Sequence, residues 1–323
     1  MEAAPQDLLT RVREHLHEYV SKLPDYTCRV TIERSSRRSA HGPFDLTDRL
    51  RLEVAYAGGA ELYAWPGSAA FERSIDELLP AHGMVSEGSY ARHMRTLFLR
   101  NVARFGDLRS APGRVAIDFN VPAVVSGYAL TTPSGSAPAA LEGTLTLDAA
   151  TLDLQRLEVR VDTRLAQTVE TVTYTRAEIG GTGFVVPETS VLLLTDGPVQ
   201  LRNSSRYDNY HRFAGSATLS FDSAEPRKPE PAPRAEAPLP AGAFVASLDQ
   251  AIGSDAAIGD LFSATAENGS RAAGRITDMR RAGKENWTLA LTLDRRTIRK
   301  TVKLPLPAGW KTKWPPINSD ERH

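Results

Sequence analysis

The chain predicts a mainly β protein (α+β): a curved antiparallel half-barrel sheet with helices on its concave side, plus a small C-terminal all-β domain. Three observations carry this. Segments that alternate apolar and polar residues fill most of the 323 residues and follow one another across short turns, the pattern of an antiparallel meander. Helical spacing is confined to the start and to one insertion, so the helices gather on one face of the sheet. A Pro-rich, charged stretch, Ser223 to Pro240, divides the chain.

Asp7 to Leu23 reads as a helix. Leu9, Val12, Leu16, Tyr19, Val20 and Leu23 recur at three- and four-residue steps, and Pro24 stops it. Tyr26, Cys28, Val30 and Ile32 alternate with Thr27, Arg29 and Thr31, and Leu50, Leu52, Val54 and Tyr56 do the same with their polar neighbours. Glu61 to Trp65 extends the meander past Gly58-Gly59. Phe71 to Leu79 is expected as a short helix ended by Pro80. Ser86 to Phe105 is expected as a longer one, capped by Ser86 and closed by Gly106.

Strands resume at Arg114 with RVAIDFNV and continue through SGYALTT, after which TPSGSAPAA reads as a polar loop. GTLTLDAATLDLQRLEVRVD reads as a hairpin around Ala149 to Thr151, and TVETVTYTRAEI as the next strand. In GFVVPETSVLLLT, Pro187 marks a break or an edge position. VQLRNSSRYDNYHRFAGSATLSF closes the first domain. The boundaries are therefore 1–222 for the half-barrel, 223–240 for the linker, 241–306 for a small β-domain built on FVASL, DLFSATA, RAAGRITDM and NWTLALTLD, and 307–323 for a poorly ordered tail.

Composition narrows the function. Lys plus Arg and Asp plus Glu each number 39, a balance that argues against a polyanion-binding protein, so no nucleic-acid partner is expected. The basic clusters Arg34, Arg37, Arg38 and Arg295, Arg296, Arg299, Lys300 read as solvated edge strands. No run approaches the apolar length of a transmembrane segment. Among the seven histidines, His15 and His17 are two apart on a helix and diverge, so no metal or other cofactor is expected. No GxSxG is present. Gly180, Gly181 and Gly183 precede a strand instead of a helix and read as a hairpin turn. Glu158, Asp162 and Glu170 read as solvated. No catalytic residue is assigned; a Ser or carboxylate hydrogen-bonded to a His in a cleft would favour an enzyme instead.

Three stretches taken together, LPDYTCRVTIER, the GTLTLDAATLDLQRLEVRVD hairpin and VVPETSVLLLTDG leading into RYDNYHRFAGSATLSF, resemble a group of uncharacterised bacterial cell-envelope proteins. The fold this implies, over residues 8–222, is that of the outer-membrane lipoprotein carrier and receptor, an incomplete antiparallel barrel with a concave apolar face plugged by helices. LPAGAFVASLDQAIGSDAAIGDLFSATAENGSRAAGRITDM resembles the small β-domains of secretion and conjugation channel proteins, with only Leu261 to Gly274 between Asp260 and Arg275 where the usual form has more. The resemblance implies a periplasmic or outer-membrane-associated protein whose leader has been removed. MEAAPQDLL carries no leader pattern, and the alternative is a cytoplasmic protein.

The expected function is non-enzymatic: binding a lipid or acyl chain, or an envelope protein partner, on the curved sheet. The alternatives are a structural or assembly module with a solid core, and a hydrolase with a dispersed site. Alternation alone selects Val30, Ile32, Leu50, Leu52, Val54, Ile117, Phe119, Leu145 and Leu147 as the apolar lining. Tyr207, Tyr210, His211 and Arg212, with Phe213, form a second cluster, read either as a recognition surface or as two tyrosines satisfying backbone groups. Cys28, mid-strand among apolar residues, reads as a buried thiol, not a nucleophile or lipid anchor.

Overall fold

The computed structural model describes residues 5–39, 41–68, 70–72, 75, 78, 91–132, 135–213, 246–282, 286–293 and 296–303. The Ser223 to Pro240 linker, the tail and most of the short helix expected at Phe71 to Leu79 lie outside these. The chain divides into two compact units, 1–222 and 223–323.

The first unit opens with α1 (Pro5–Lys22), then β1 (Tyr26–Arg37), β2 (Asp45–Ala57) and β3 (Ala60–Ala64). After α2 (Ala91–Phe98) come β4 (Arg104–Ala111), β5 (Arg114–Val121), the single turn α3 (Ala123–Ser126), and the small hairpin β6 (Ala129–Thr132) and β7 (Gly135–Pro138). The long strands β8 (Leu141–Asp148), β9 (Leu154–Asp162), β10 (Gln167–Ile179), β11 (Thr182–Asp196) and β12 (Val199–Arg212) complete it. Ten strands form one curled half-barrel sheet in the order β3-β2-β1-β12-β11-β10-β9-β8-β5-β4, every pairing antiparallel.

Two expectations about this unit are corrected. The second helix ends at Phe98, and Gly106 lies inside β4 instead of closing a helix. The amides of Leu99 and Arg100 both bond to the Arg95 carbonyl, and Asn101 then takes φ 52°, a left-handed turn that ends the helical run. Phe105 pairs with Phe119 across β4 and β5. The stretch TPSGSAPAA is not a plain loop, because Gly135 to Pro138 pairs with Ala129 to Thr132.

Cross-strand register aligns the inner face into rows. One runs Leu50–Ile32–Ser205–Ser190–Val172–Leu157–Leu145–Ile117, crossing eight strands in register. Val12, Leu16 and Val20 of α1 are buried at i, i+4 and i+8, so one stripe of the helix is sealed. Burying such a stripe contributes about 2 kcal/mol per aliphatic side chain. Gly143 sits where a Cβ would meet the Glu158 carbonyl at 1.8 Å and the Phe119 ring at 2.8 Å, so only glycine lets that ring lie flat on the sheet.

The second unit is a five-stranded antiparallel meander: β13 (Ala246–Leu248), β14 (Leu261–Ala266), β15 (Arg271–Arg281), β16 (Asn286–Leu293) and β17 (Arg296–Lys303), in sequence order. Ile276, Met279, Trp287, Leu289 and Leu291 form its core. The Gly259-Asp260 and Gly274-Arg275 pairs meet here. Arg275 Nη1 donates to the Gly259 carbonyl at 2.7 Å, and the Ile276 amide donates to Asp260 O at 2.9 Å. Arg296, Arg299 and Lys300 fall on β17, an outermost strand.

Candidate functional site

A small, partly open cavity of about 30 Å³ lies between α1 and the sheet. Leu16, Tyr19 and Val20 descend from α1, and Leu23 from the residues just after it. Tyr26, Tyr56, Leu154, Tyr174 and Val185 to Pro187 rise from the strands, Met94 comes from α2, and His15 and Asp153 complete the wall. Tyr19 pins the helix to the sheet by donating its hydroxyl to the Val185 carbonyl. The Tyr26 and Tyr56 rings stand 5.3 Å apart. The Tyr174 hydroxyl is enclosed and meets no hydrogen-bond partner. Burial raises the pKa of Tyr26 and Tyr174 well above the ordinary phenol value, so both stay neutral. A larger, open groove of about 700 Å³ runs on the solvent side of α1, between Arg13, His17 and Ser21 and the end of α2 at Leu97, Leu99 and Asn101.

The nine apolar candidates all lie on the inner face and are nearly inaccessible, at most 4% exposed. None of them borders the cavity. They form the packed floor of the sheet, while the cavity is walled by tyrosines and by α1.

The tyrosine cluster on β12 is split by a bulge. Thr27 faces His211 and Arg29 faces Asp208, so Cys28 alone opposes both Asn209 and Tyr210. Asn209 takes φ 60°. The extra residue turns both Tyr207 and Tyr210 inward. Tyr207 Oη bonds Ser190 Oγ at 3.1 Å, and Tyr210 donates to the Pro187 carbonyl at 2.5 Å. His211 and Arg212 remain exposed, His211 Nε2 lying 2.9 Å from Asn209 Oδ1. Phe213 meets Phe71 edge-on at 6.3 Å. Pro187 faces Tyr174 beside a second bulge, where Glu188 is the extra residue, and β11 begins to pair with β12 only at Thr189. Cys28 is buried beside Tyr210, and burial raises its pKa, with the Glu61 charge adding to the effect.

Sequence reasoning missed a buried polar row on the same face: Asp48, Arg34, Asn203, Leu192 and Glu170 in register, with His93 of α2 placed over it. Arg34 therefore is not a solvated edge residue. Strand β1 is interior to the sheet, and Arg34 grips Asp48 through Nε at 2.7 Å and Nη2 at 2.5 Å. Glu170 is likewise buried, not solvated. Its Oε2 lies 3.2 Å from His93 Nε2, and the Tyr128 ring stacks on His93 at 5.1 Å. The missed signal was parity. In TVETVTYT both alternate sets are mixed, and it is Glu170 and Val172 that point inward. The acid–imidazole pair borders neither the cavity nor the groove. Among the described residues, no group of three or more His, Cys, Asp or Glu could hold a metal, and no helix is long and apolar enough to cross a membrane.

One solved structure similar to this chain is a DUF1329 family protein from Desulfovibrio piger. It shares 12% identity, the match covers 66% of this chain and 95% of that one, and the TM-score is 0.31, too low to carry any conclusion. No family matches the sequence, and no curated protein does.

Proposed function

We propose that the protein is a non-enzymatic component of the bacterial cell envelope, periplasmic or outer-membrane-associated, that holds an apolar, lipid-like ligand between α1 and the curved sheet. One observation carries this reading: the cavity lies under the amphipathic helix α1, with Met94 of α2 beside it, and is walled almost wholly by apolar and tyrosine side chains. At about 30 Å³ it has room for about one water. A chain-sized ligand therefore requires α1 to lift from the sheet, against contacts that include the Tyr19 hydroxyl bond, the 3.9 Å approach of His15 to Asp153, and Arg13, which reaches Asn101 Oδ1 at 3.4 Å and lies over the Phe105 ring.

The test is extraction of the protein purified from a bacterial host, followed by mass spectrometry. Stoichiometric recovery of an apolar species, and its loss in a Leu16→Trp variant that keeps its fold by circular dichroism, supports the reading. Clean protein that binds no fluorescent fatty-acyl probe overturns it. Cell fractionation of the tagged protein tests the location.

A second reading, a structural or assembly module with a solid core, draws on the nine inner-face residues that fill the sheet floor without bordering the cavity or the groove. It expects no extractable ligand and an unchanged melting temperature with acyl chains. A hydrolase draws least support, since the His93–Glu170 pair is buried at 3% and 6% side-chain exposure.

A further inference from the structure

The loop end of the β1–β2 hairpin carries a charge arrangement that the cavity under α1 does not use. Arg37 faces Gln200 and Ser35 faces Arg202 across β1 and β12, so the two arginines stand diagonally on the outer face. Both guanidinium carbons lie over the ring of Phe44, at 4.4 Å and 4.2 Å from its centroid. Arg37 is anchored, its Nε donating to Gln200 Oε1 at 2.7 Å and its Nη1 to the Gly42 carbonyl at 3.1 Å. Arg202 has no such anchor: its Nε is enclosed and meets no acceptor. Glu33, whose charge reaches Arg202, is engaged by Arg49 at 2.6 Å. Burial, and then the charge of Arg37, lower the pKa of Arg202, while the Glu33 charge raises it.

Stacking on Phe44 offsets part of the repulsion between two neighbouring cations. A bound anion would offset the rest. The geometry points to an oxyanion site at this end of the hairpin, where the remaining N–H groups of Arg37 and Arg202 take a phosphate group, inorganic or in a lipid headgroup, above the Phe44 ring. The planar guanidinium fork suits tetrahedral oxyanions, and two forks on one ring present a preset geometry.

The full-length protein is melted in chloride and in inorganic phosphate at equal ionic strength, and phosphate binding is measured by calorimetry. Wild type is expected to melt higher in phosphate. Arg202→Gln is expected to lose that gain and to bind phosphate at least ten-fold more weakly. In chloride it is expected to melt no lower than wild type, because it removes a repelled cation; a purely structural stacking role would lower it. Arg202→Lys, which keeps the charge without the fork, is expected to fall between. Co-sedimentation with phosphatidylglycerol/phosphatidylcholine vesicles, but not with phosphatidylcholine alone, and its loss in Arg202→Gln, would assign the phosphate to a lipid. Phosphate binding without sedimentation would assign it to the free anion. Overturning the proposal takes an absent phosphate response, or one equal in all three proteins, with no vesicle binding.

Discussion

Two arginine–aspartate pairs stand on opposite faces of the same ten-stranded sheet. Arg34 and Asp48 face inward, with side chains 8% and 10% exposed; Arg109 and Asp118 face outward, at 55% and 45%. The chemistry is the same, since in each pair two nitrogens of one guanidinium reach the two oxygens of one carboxylate. What differs is the medium. The outer pair exchanges water for a partner at little gain and is screened by salt. The inner pair has left water behind, so each partner depends on the other far more than the pair as a whole stabilises the fold.

The sharpest way to break the comparison is to remove one inner partner. Arg34→Ala leaves Asp48 buried without that guanidinium and is expected to cost about 3–5 kcal/mol in urea unfolding. The double change Arg34→Met with Asp48→Leu is expected to recover most of that loss. A single-variant cost well below 1 kcal/mol would mean that the inner face is wet. Leu16→Ala tests the apolar side of the same face and is expected to cost about 2–4 kcal/mol, because it enlarges the cavity that Leu16 lines.

Alkaline pH probes the tyrosines. Tyr26, Tyr174, Tyr207 and Tyr210 all have raised pKa values through burial. Above about pH 10 the unfolded chain releases phenolic protons that the folded chain retains, so stability must fall as pH rises. Tyrosinate absorbance from these four is expected to appear only together with unfolding; early titration would show that the cavity breathes open. Cys28 follows the same sign at about pH 8.5 and above, and a thiol reagent is expected to label it only in denaturant.

The outer pair gives the smallest effect. Arg109→Ala is expected to change stability by less than about 1 kcal/mol, and less still in high salt. Asp118 has its pKa lowered chiefly by the Arg109 hydrogen bond, and also by Thr144. Its contribution is therefore present at neutral pH and lost as pH falls below about 4, a shallow slope in acid melts.

Period-two alternation made most strands of the large sheet legible, and Pro24 with the 3–4 spacing made α1 legible. Three kinds of feature were not. TVETVTYT has no clean apolar set, so Glu170 read as solvated; Arg34 follows the phase of Val30 and Ile32, but its place in a basic cluster made it read as solvated, although both lie in a buried row. Bulges shift parity without a pattern signal: Asn209 takes up one residue and brings Tyr210 to the same side as Tyr207, which simple alternation forbids. The cavity depends on where α1 comes to rest, a tertiary contact, so the apolar strand positions chosen from sequence are the floor of the sheet while tyrosines wall the space.

The neighbours of β1 set the order in which the large sheet can be assembled. Strand β1 lies between β2, which follows it at once, and β12, the last strand of the unit among the described residues, with Tyr26 opposite Arg212. A nascent chain can zip β1, β2 and β3 together early, but the other side of β1 must wait until the rest of the sheet has been synthesised. Its exposed strand edge through that interval is an invitation to off-pathway pairing. Closing so long a loop is the step most costly in chain entropy, which makes the β1–β12 seam the expected rate limit of folding. A rearranged first unit in which residue 213 is joined to residue 25, with residues 1–24 left out and new ends opened in another turn, would turn that seam into a hairpin, and it should form the β1–β12 pairing faster than the natural order without α1.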